Sequence, residues 1–284
     1  MQSSELLKIS RPRFWLYLAG PYLIGLIAAN TSTSALYGFW PLLFLLYFLF
    51  PANLLIYGVN DIFDFETDRH NPKKNAYETL VAPNQRAKIW SAIIAANIPF
   101  LALLIVYCVQ NHTATPALAA VGFLFFGIFY SAPPIRAKTK PLFDSFFNIL
   151  YLFPGFVGYA LLSGAHFDWK VFFAGTLWVM AMHAYSAIPD IDADKTAKLN
   201  TIATVLGATR TLVFCAFCYL GAAALSYQHL GIFGIVLGSM YVGMIYLSLL
   251  STNRQWIFRV YQWFPFVNGI LGFSIFLFLF FTRH

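Results

Sequence analysis

The sequence predicts an all-α protein, a polytopic membrane bundle of about nine transmembrane helices. Three observations carry that prediction. Sixty per cent of the 284 residues are hydrophobic and only 10% are charged, too little polar surface to cover a water-soluble globule. Apolar stretches of about 17–23 residues, enough to cross a hydrocarbon core of roughly 30 Å, recur along the whole chain. Basic residues gather on one side of these stretches, which gives the bundle an orientation.

The spans fall near 14–30, 38–60, 88–108, 116–132, 145–163, 171–189, 211–228, 231–250 and 260–281. The first follows "MQSSELLKISRPR" with no small-residue cleavage site, so it reads as a retained helix rather than a secretory signal. Pro21, Pro51, Pro99, Pro154 and Pro265 lie inside spans, where bends and freed carbonyls are expected. External connections such as "NTSTS" and "QNHTAT" are short and nearly uncharged, whereas residues 60–87, 133–144 and 190–210 are long and charged. With the amino terminus in the cytoplasm, only Lys170 and Arg283 of the 18 basic residues fall outside. No linker or low-complexity tract interrupts the pattern, so residues 1–284 read as one domain. The net charge of +7 is then a topology signal, with some attraction for anionic headgroups or an anionic substrate, and does not point to nucleic acid. Cys108, Cys215 and Cys218 sit in or at the ends of apolar spans. "CAFC" is formally C-x-x-C, yet without a second pair it reads as packed thiols rather than metal or redox chemistry.

Two short acidic stretches share a pattern. "DFETDR" (64–69) and "DIDADK" (190–195) both read D-x-[D/E]-x-D-[K/R], and each directly follows an apolar span. In the span count they are four helices apart, which puts both on the same face and is compatible with two four-helix repeats. If helical phase continues past residue 60, then Asn60, Asp61, Asp64 and Asp68 share one face, and Glu66 points elsewhere. The same reasoning pairs Asp190 with Asp194 and turns Asp192 away. Stacked like charges destabilise an isolated helix, and a hard divalent cation would offset the repulsion. Mg²⁺ takes one or two carboxylates plus water and phosphate oxygens, so two carboxylate faces could hold Mg²⁺ ions around a diphosphate. The alternative is solvated helix-end charge paired with Arg69, Lys73, Lys74, Lys195 and Lys198.

A third internal segment, "YSAPPIRAKTKPLFDS" (130–145), is a stiff two-proline turn on which Arg136, Lys138 and Lys140 alternate. It reads either as a topology-setting basic loop or as fixed cations that hold a diphosphate as it leaves. Metal, diphosphate and a lipid-bathed cavity suggest ionisation of an allylic diphosphate, whose carbocation needs aromatic faces and exclusion of water. Tyr130, Tyr151 and Tyr185 are candidate liners. His183, inside the sixth span, is either a proton acceptor or a hydrogen-bonded core histidine.

These residues resemble the UbiA superfamily of intramembrane prenyltransferases. "NDIFDFETD" (60–68) matches its first aspartate motif, N-D-x-x-D-x-x-x-D, and "DIDAD" (190–194) its second, D-x-x-x-D. Within it, "SRPRFWLYLAGP", "PANLLIYGVNDIFDFETDRHNPKK", "YSAPPIRAKTKPLFDS" and "HAYSAIPDIDAD" are similar to the lycopene elongase/hydratase group. The resemblance implies Mg²⁺ and diphosphate held by Asn60, Asp61, Asp64, Asp68, Asp190 and Asp194, with Arg136 and Lys138 on the diphosphate. It also implies dimethylallyl diphosphate as donor and lycopene, met in the membrane lipid, as acceptor. The loop reads I-R-A-K where many quinone-pathway members carry a K-R pair. Two other readings stay open: transfer to an aromatic, quinone-precursor or other polyprenyl acceptor, and a transporter of a cation or lipid phosphate. A transporter would place its charges near the bilayer midplane on broken helices; here the acids sit at helix ends.

Overall fold

The computed structural model describes residues 3–29, 32–65, 80–165, 168–251 and 253–283, and among them all regular structure is helical. In chain order the helices are α1 (Ser3–Ile9), α2 (Leu16–Ala28), α3 (Thr33–Leu36), α4 (Phe39–Leu49), α5 (Pro51–Phe63), α6 (Arg86–Gln110) and α7 (Thr115–Phe129). They continue as α8 (Phe143–Phe146), α9 (Phe153–Ser163), α10 (Trp169–Ala187), α11 (Ile191–Thr196), α12 (Ile202–Leu230), α13 (Ile232–Leu249), α14 (Arg254–Tyr261) and α15 (Phe264–Arg283). Many of their large apolar side chains face outward, among them Leu16, Phe217, Ile232 and Phe281. In water that exposure would be a liability; in a bilayer it is the lipid-facing surface. The protein is an integral membrane protein.

Each of the nine predicted spans coincides with helix, but six helical stretches of the described residues have the length and apolarity to cross a membrane. The other three predicted spans correspond to α2, α7 and α10, of 13, 15 and 19 residues. At 1.5 Å per residue α2 is only about 20 Å long, short of a hydrocarbon core. The sequence reading missed this because an apolar run does not show where its helix stops. The second span is also broken, at Phe50, with Pro51 opening α5. Pro51 has no N–H to continue the ladder. The Asn53 side chain donates instead to the carbonyls of Phe48 (2.7 Å) and Leu49 (2.9 Å).

The chain divides into two compact units. The first comprises residues 1–135, 150–166 and 275–284. Its α2 and α9 meet backbone to backbone: a Cβ on Gly25 would stand 1.9 Å from the Gly155 carbonyl oxygen. Such close approach of small residues is how membrane helices gain packing without a hydrophobic drive. Asn97 on α6 donates to the Pro51 carbonyl (3.0 Å), which seats α6 on the start of α5. Buried Ile9 ends α1, so the amino-terminal segment is part of the packed unit.

The second unit comprises residues 136–149 and 167–274. Its core lies among α10, α12 and α13, where Tyr219 stacks on Tyr241 at 4.7 Å and Cys215 donates to the Ala181 carbonyl (3.5 Å). All three cysteines are free thiols, Cys215 and Cys218 buried, as expected of packing residues. Helix α12 contains a break at Gly207 (φ 75°), a conformation that only glycine adopts without strain.

Candidate active site

The first acidic segment is the end of α5. Its helix stops at Phe63 and Asp64 is the residue that caps it (φ −107°), so the phase argument reaches Asp64 and no further. Asp68, Glu66, Arg69, Lys73 and Lys74 lie outside the described residues. One turn apart, Asn60 donates to Asp64 Oδ2 (2.6 Å) and to Ser131 Oγ (2.9 Å). Both protons of the carboxamide are thus committed, and a cation could use only its oxygen. Tyr130 ends α7 beside Ser131, which puts it next to this segment.

Asp61 has a different setting from the one its spacing suggested. It is 2% exposed, and Arg11 Nη2 donates to its Oδ1 at 2.7 Å. The Arg11 guanidinium also lies over the Tyr57 ring, 4.7 Å from its centre, and Tyr57 hydrogen-bonds Tyr151. Tyr151 therefore belongs to a half-buried aromatic cluster around an ion pair. In sequence Arg11 reads as one of the basic residues on the cytoplasmic side and nothing more. An arginine at the mouth of the first span gives no sign, in sequence, of which acid it will meet.

The second acidic segment joins α10 to α12. Asp190 precedes α11 and its carbonyl accepts the Asp194 N–H (2.8 Å), which places the two carboxylates one turn apart. Asp194 is half-buried. Burial first, and then the neighbouring Asp190, push its carboxyl up to about 6, against the pull of Thr201 and Lys138. Asp192 points away, as its phase predicted, and forms an exposed ion pair with Arg254. Lys138 is half-buried and electrostatically coupled to Asp194. Arg136 (φ 47°) and Lys140 are exposed on either side of it in the same turn. Tyr185 is a correction: it is fully buried with its hydroxyl 2.8 Å from Ser248 Oγ, so it packs the core and lines nothing.

A residue the sequence reading passed over stands behind this segment. Asp144 is fully buried; its Oδ1 accepts the Ser145 N–H (2.9 Å) and its Oδ2 the Ile202 N–H (2.8 Å). His183 Nε2 lies 3.8 Å from Asp144 Oδ2. The available signal was a carboxylate at the start of an apolar run, where its burial is costly.

No group of three or more His, Cys, Asp or Glu stands ready to hold a metal among the described residues. Each segment, taken by itself, offers oxygen donors alone, Asn60 and Asp64 in the first unit and Asp190 and Asp194 in the second. Oxygen donors suit a hard ion such as Mg²⁺ rather than a soft one, and the mutual repulsion of Asp190 and Asp194 is what such a charge would relieve.

Comparison with known proteins gives this arrangement a family. The model of the UbiA prenyltransferase family matches residues 18–280. The chain belongs to that family. It is a UbiA-type prenyltransferase, and the resemblance read from its two aspartate motifs is correct. The chain is 40% identical to a lycopene elongase/hydratase of Haloferax volcanii over 94% of its own length and 85% of that protein's. It is 38% identical to a lycopene elongase/hydratase of Halobacterium salinarum, over 93% and 92%. Among solved structures, a UbiA homologue from Archaeoglobus fulgidus bound to DMAPP and Mg²⁺ superposes with a TM-score of 0.68, 97% of this chain and 98% of that one being covered. At 18% identity that likeness shows the UbiA fold.

Proposed function

We propose that this UbiA enzyme adds a five-carbon prenyl unit from dimethylallyl diphosphate to lycopene in the membrane, in a Mg²⁺-dependent reaction leading to fifty-carbon carotenoids. The observation that carries the reading is the 38–40% identity to lycopene elongase/hydratases over more than nine-tenths of the chain. The amino terminus and the acidic segments face the cytoplasm, all nine helical spans cross or enter the bilayer, and residues 1–284 act as one domain.

Asn60, Asp64, Asp68, Asp190 and Asp194 are the residues that would hold Mg²⁺ and, with it, the diphosphate. When bound, the metal supplies positive charge to the leaving group. Asp61, with one oxygen committed to Arg11, anchors the end of α5 rather than serving as a primary ligand. Lys138, flanked by Arg136 and Lys140, contacts the diphosphate oxygens as the allylic C–O bond breaks and the electron pair leaves with the diphosphate. Positive groups fixed in advance where charge develops lower the barrier without reorganisation. The terminal double bond of lycopene then attacks the allylic cation and forms the new C–C bond. The charge passes to the acceptor, which either loses a proton directly or takes up water and then loses a proton from it. Tyr130, beside Ser131 and Asn60, offers an aromatic face to the cation.

The test is expression in membranes that accumulate lycopene, with pigment analysis by mass spectrometry beside an Asp64→Ala control. Forty-five- and fifty-carbon products that vanish in the control are expected. Unchanged lycopene, with folded protein and dimethylallyl diphosphate both present, would remove the carotenoid reading and direct attention to aromatic acceptors.

A further inference from the structure

The Asp144 carboxylate occupies a place that stability alone accounts for poorly. A buried charge is costly to maintain, yet this one is fully enclosed and its hydrogen bonds reach two stretches of chain. Through Ser145 it closes the turn that follows the basic loop, and the Asp144 N–H bonds the Lys140 carbonyl (2.9 Å). Through Ile202 it holds the first residue of α12, whose N–H has no partner within its own helix. His183 of α10 lies near it, 3.8 Å from Oδ2 and beyond hydrogen-bond distance. Helices α10 and α12 are the two elements that border residues 190–201. Lys138, which is coupled to Asp194, sits six positions before Asp144 in the same stretch.

We propose that Asp144 is a positioning residue, setting the second acidic segment in register with the basic loop by tying the start of α12, which follows that segment, to the loop's own end. The role builds on the prenyl-transfer reading above. It requires a carboxylate: two oxygens accept two N–H groups at once, whereas an amide would turn a donor toward one of them.

Ile202 allows the tie to be cut from the far side. Proline is tolerated at the first position of a helix, and Thr201 before it is extended (φ −99°, ψ 166°), as a residue preceding proline should be. Ile202→Pro removes the N–H together with the buried side chain; Ile202→Ala removes the side chain alone. Relative to Ile202→Ala, Ile202→Pro should raise the KM for dimethylallyl diphosphate about tenfold, the scale seen when groups that orient ligands are lost. The KM for lycopene should be the same in both. Hydrogen–deuterium exchange across residues 190–201 should be faster in Ile202→Pro than in Ile202→Ala. Equal diphosphate KM values and equal exchange would overturn the proposal. If the wild-type protein transfers no prenyl group, the functional reading fails, and the exchange comparison still decides the role of Asp144. Should Ile202→Pro not fold, Asp144→Asn replaces it in the exchange experiment against wild type, with the same two outcomes.

Discussion

The two acidic segments share a spacing and differ in what surrounds them. At the end of α5 the charge is already answered within its own unit. Asp61 is buried against Arg11, and Asp64 accepts from an Asn60 that also grips Ser131. Between α10 and α12 the charge is largely unanswered. Asp190 is exposed, and burial and the acidic neighbour push the Asp194 carboxyl up to about 6. The contrast teaches that a shared D-x-[D/E]-x-D pattern fixes where carboxylates lie along a helix end and leaves their electrostatic state to the packing. The described end of the first segment is held by bonds within its own unit, whereas the second keeps two acidic neighbours one turn apart, one of them exposed.

The largest effect should treat both segments alike. Asp64→Ala and Asp190→Ala should each reduce turnover by about 10²-fold or more, as expected for groups that organise charge in the transition state, while size-exclusion profiles stay those of folded protein. Retained activity in both variants would break the prenyl-transfer reading.

The next should separate the segments. Arg11→Ala removes the Arg11 partner of buried Asp61, and loss of one partner from a buried pair costs about 3 kcal/mol or more. Thermal unfolding in detergent should show a clear fall in midpoint, and Arg11→Leu combined with Asp61→Leu should recover most of it. No comparable fall is expected for Asp190→Ala, whose side chain is exposed.

A smaller effect concerns pH. Asp194, at about 6 in the folded chain against an ordinary 3.8, holds a proton over a range where the unfolded chain has lost it. Stability therefore falls as pH rises through this range, and the cost is fully present above about 6. In metal-free protein, Asp194→Asn should raise the thermal midpoint at about pH 8 and raise it less at about pH 5. Added Mg²⁺ should stabilise the wild type more at the higher pH and should lose this advantage in the variant. The smallest effect belongs to Asp192→Ala, which removes an exposed pair with Arg254; such pairs contribute about 1 kcal/mol at most, and turnover should stay close to wild type.

Much of this was legible from residues alone. Asp192 turning away from Asp190 and Asp194, and Asn60 meeting Asp64 one turn on, are consequences of helical period, which is local. Packed thiols at Cys215 and Cys218 followed from their apolar surroundings. Other features were not legible. Tyr185 reads as a cavity liner in sequence because aromatic residues near a motif look alike there; its hydroxyl bond to Ser248 depends on α13 lying alongside. Spans that looked like nine full crossings contain a helix of 13 residues at α2 and a break at Phe50, since helix ends are set by caps, prolines and neighbours as much as by hydropathy.

What the sequence determined by itself is the solvent of this protein and the place of its charge. Hydrophobicity, span length and the spacing of acids are properties of contiguous residues, and they carried the membrane assignment, the family and both aspartate segments. What only the tertiary structure decided is which charges are spent on the fold. Arg11 meets Asp61 across 50 residues and Asp144 meets the Ile202 N–H across 58. Inside a low-dielectric core a charge must find a partner, and which partner lies within reach is settled by how the helices pack.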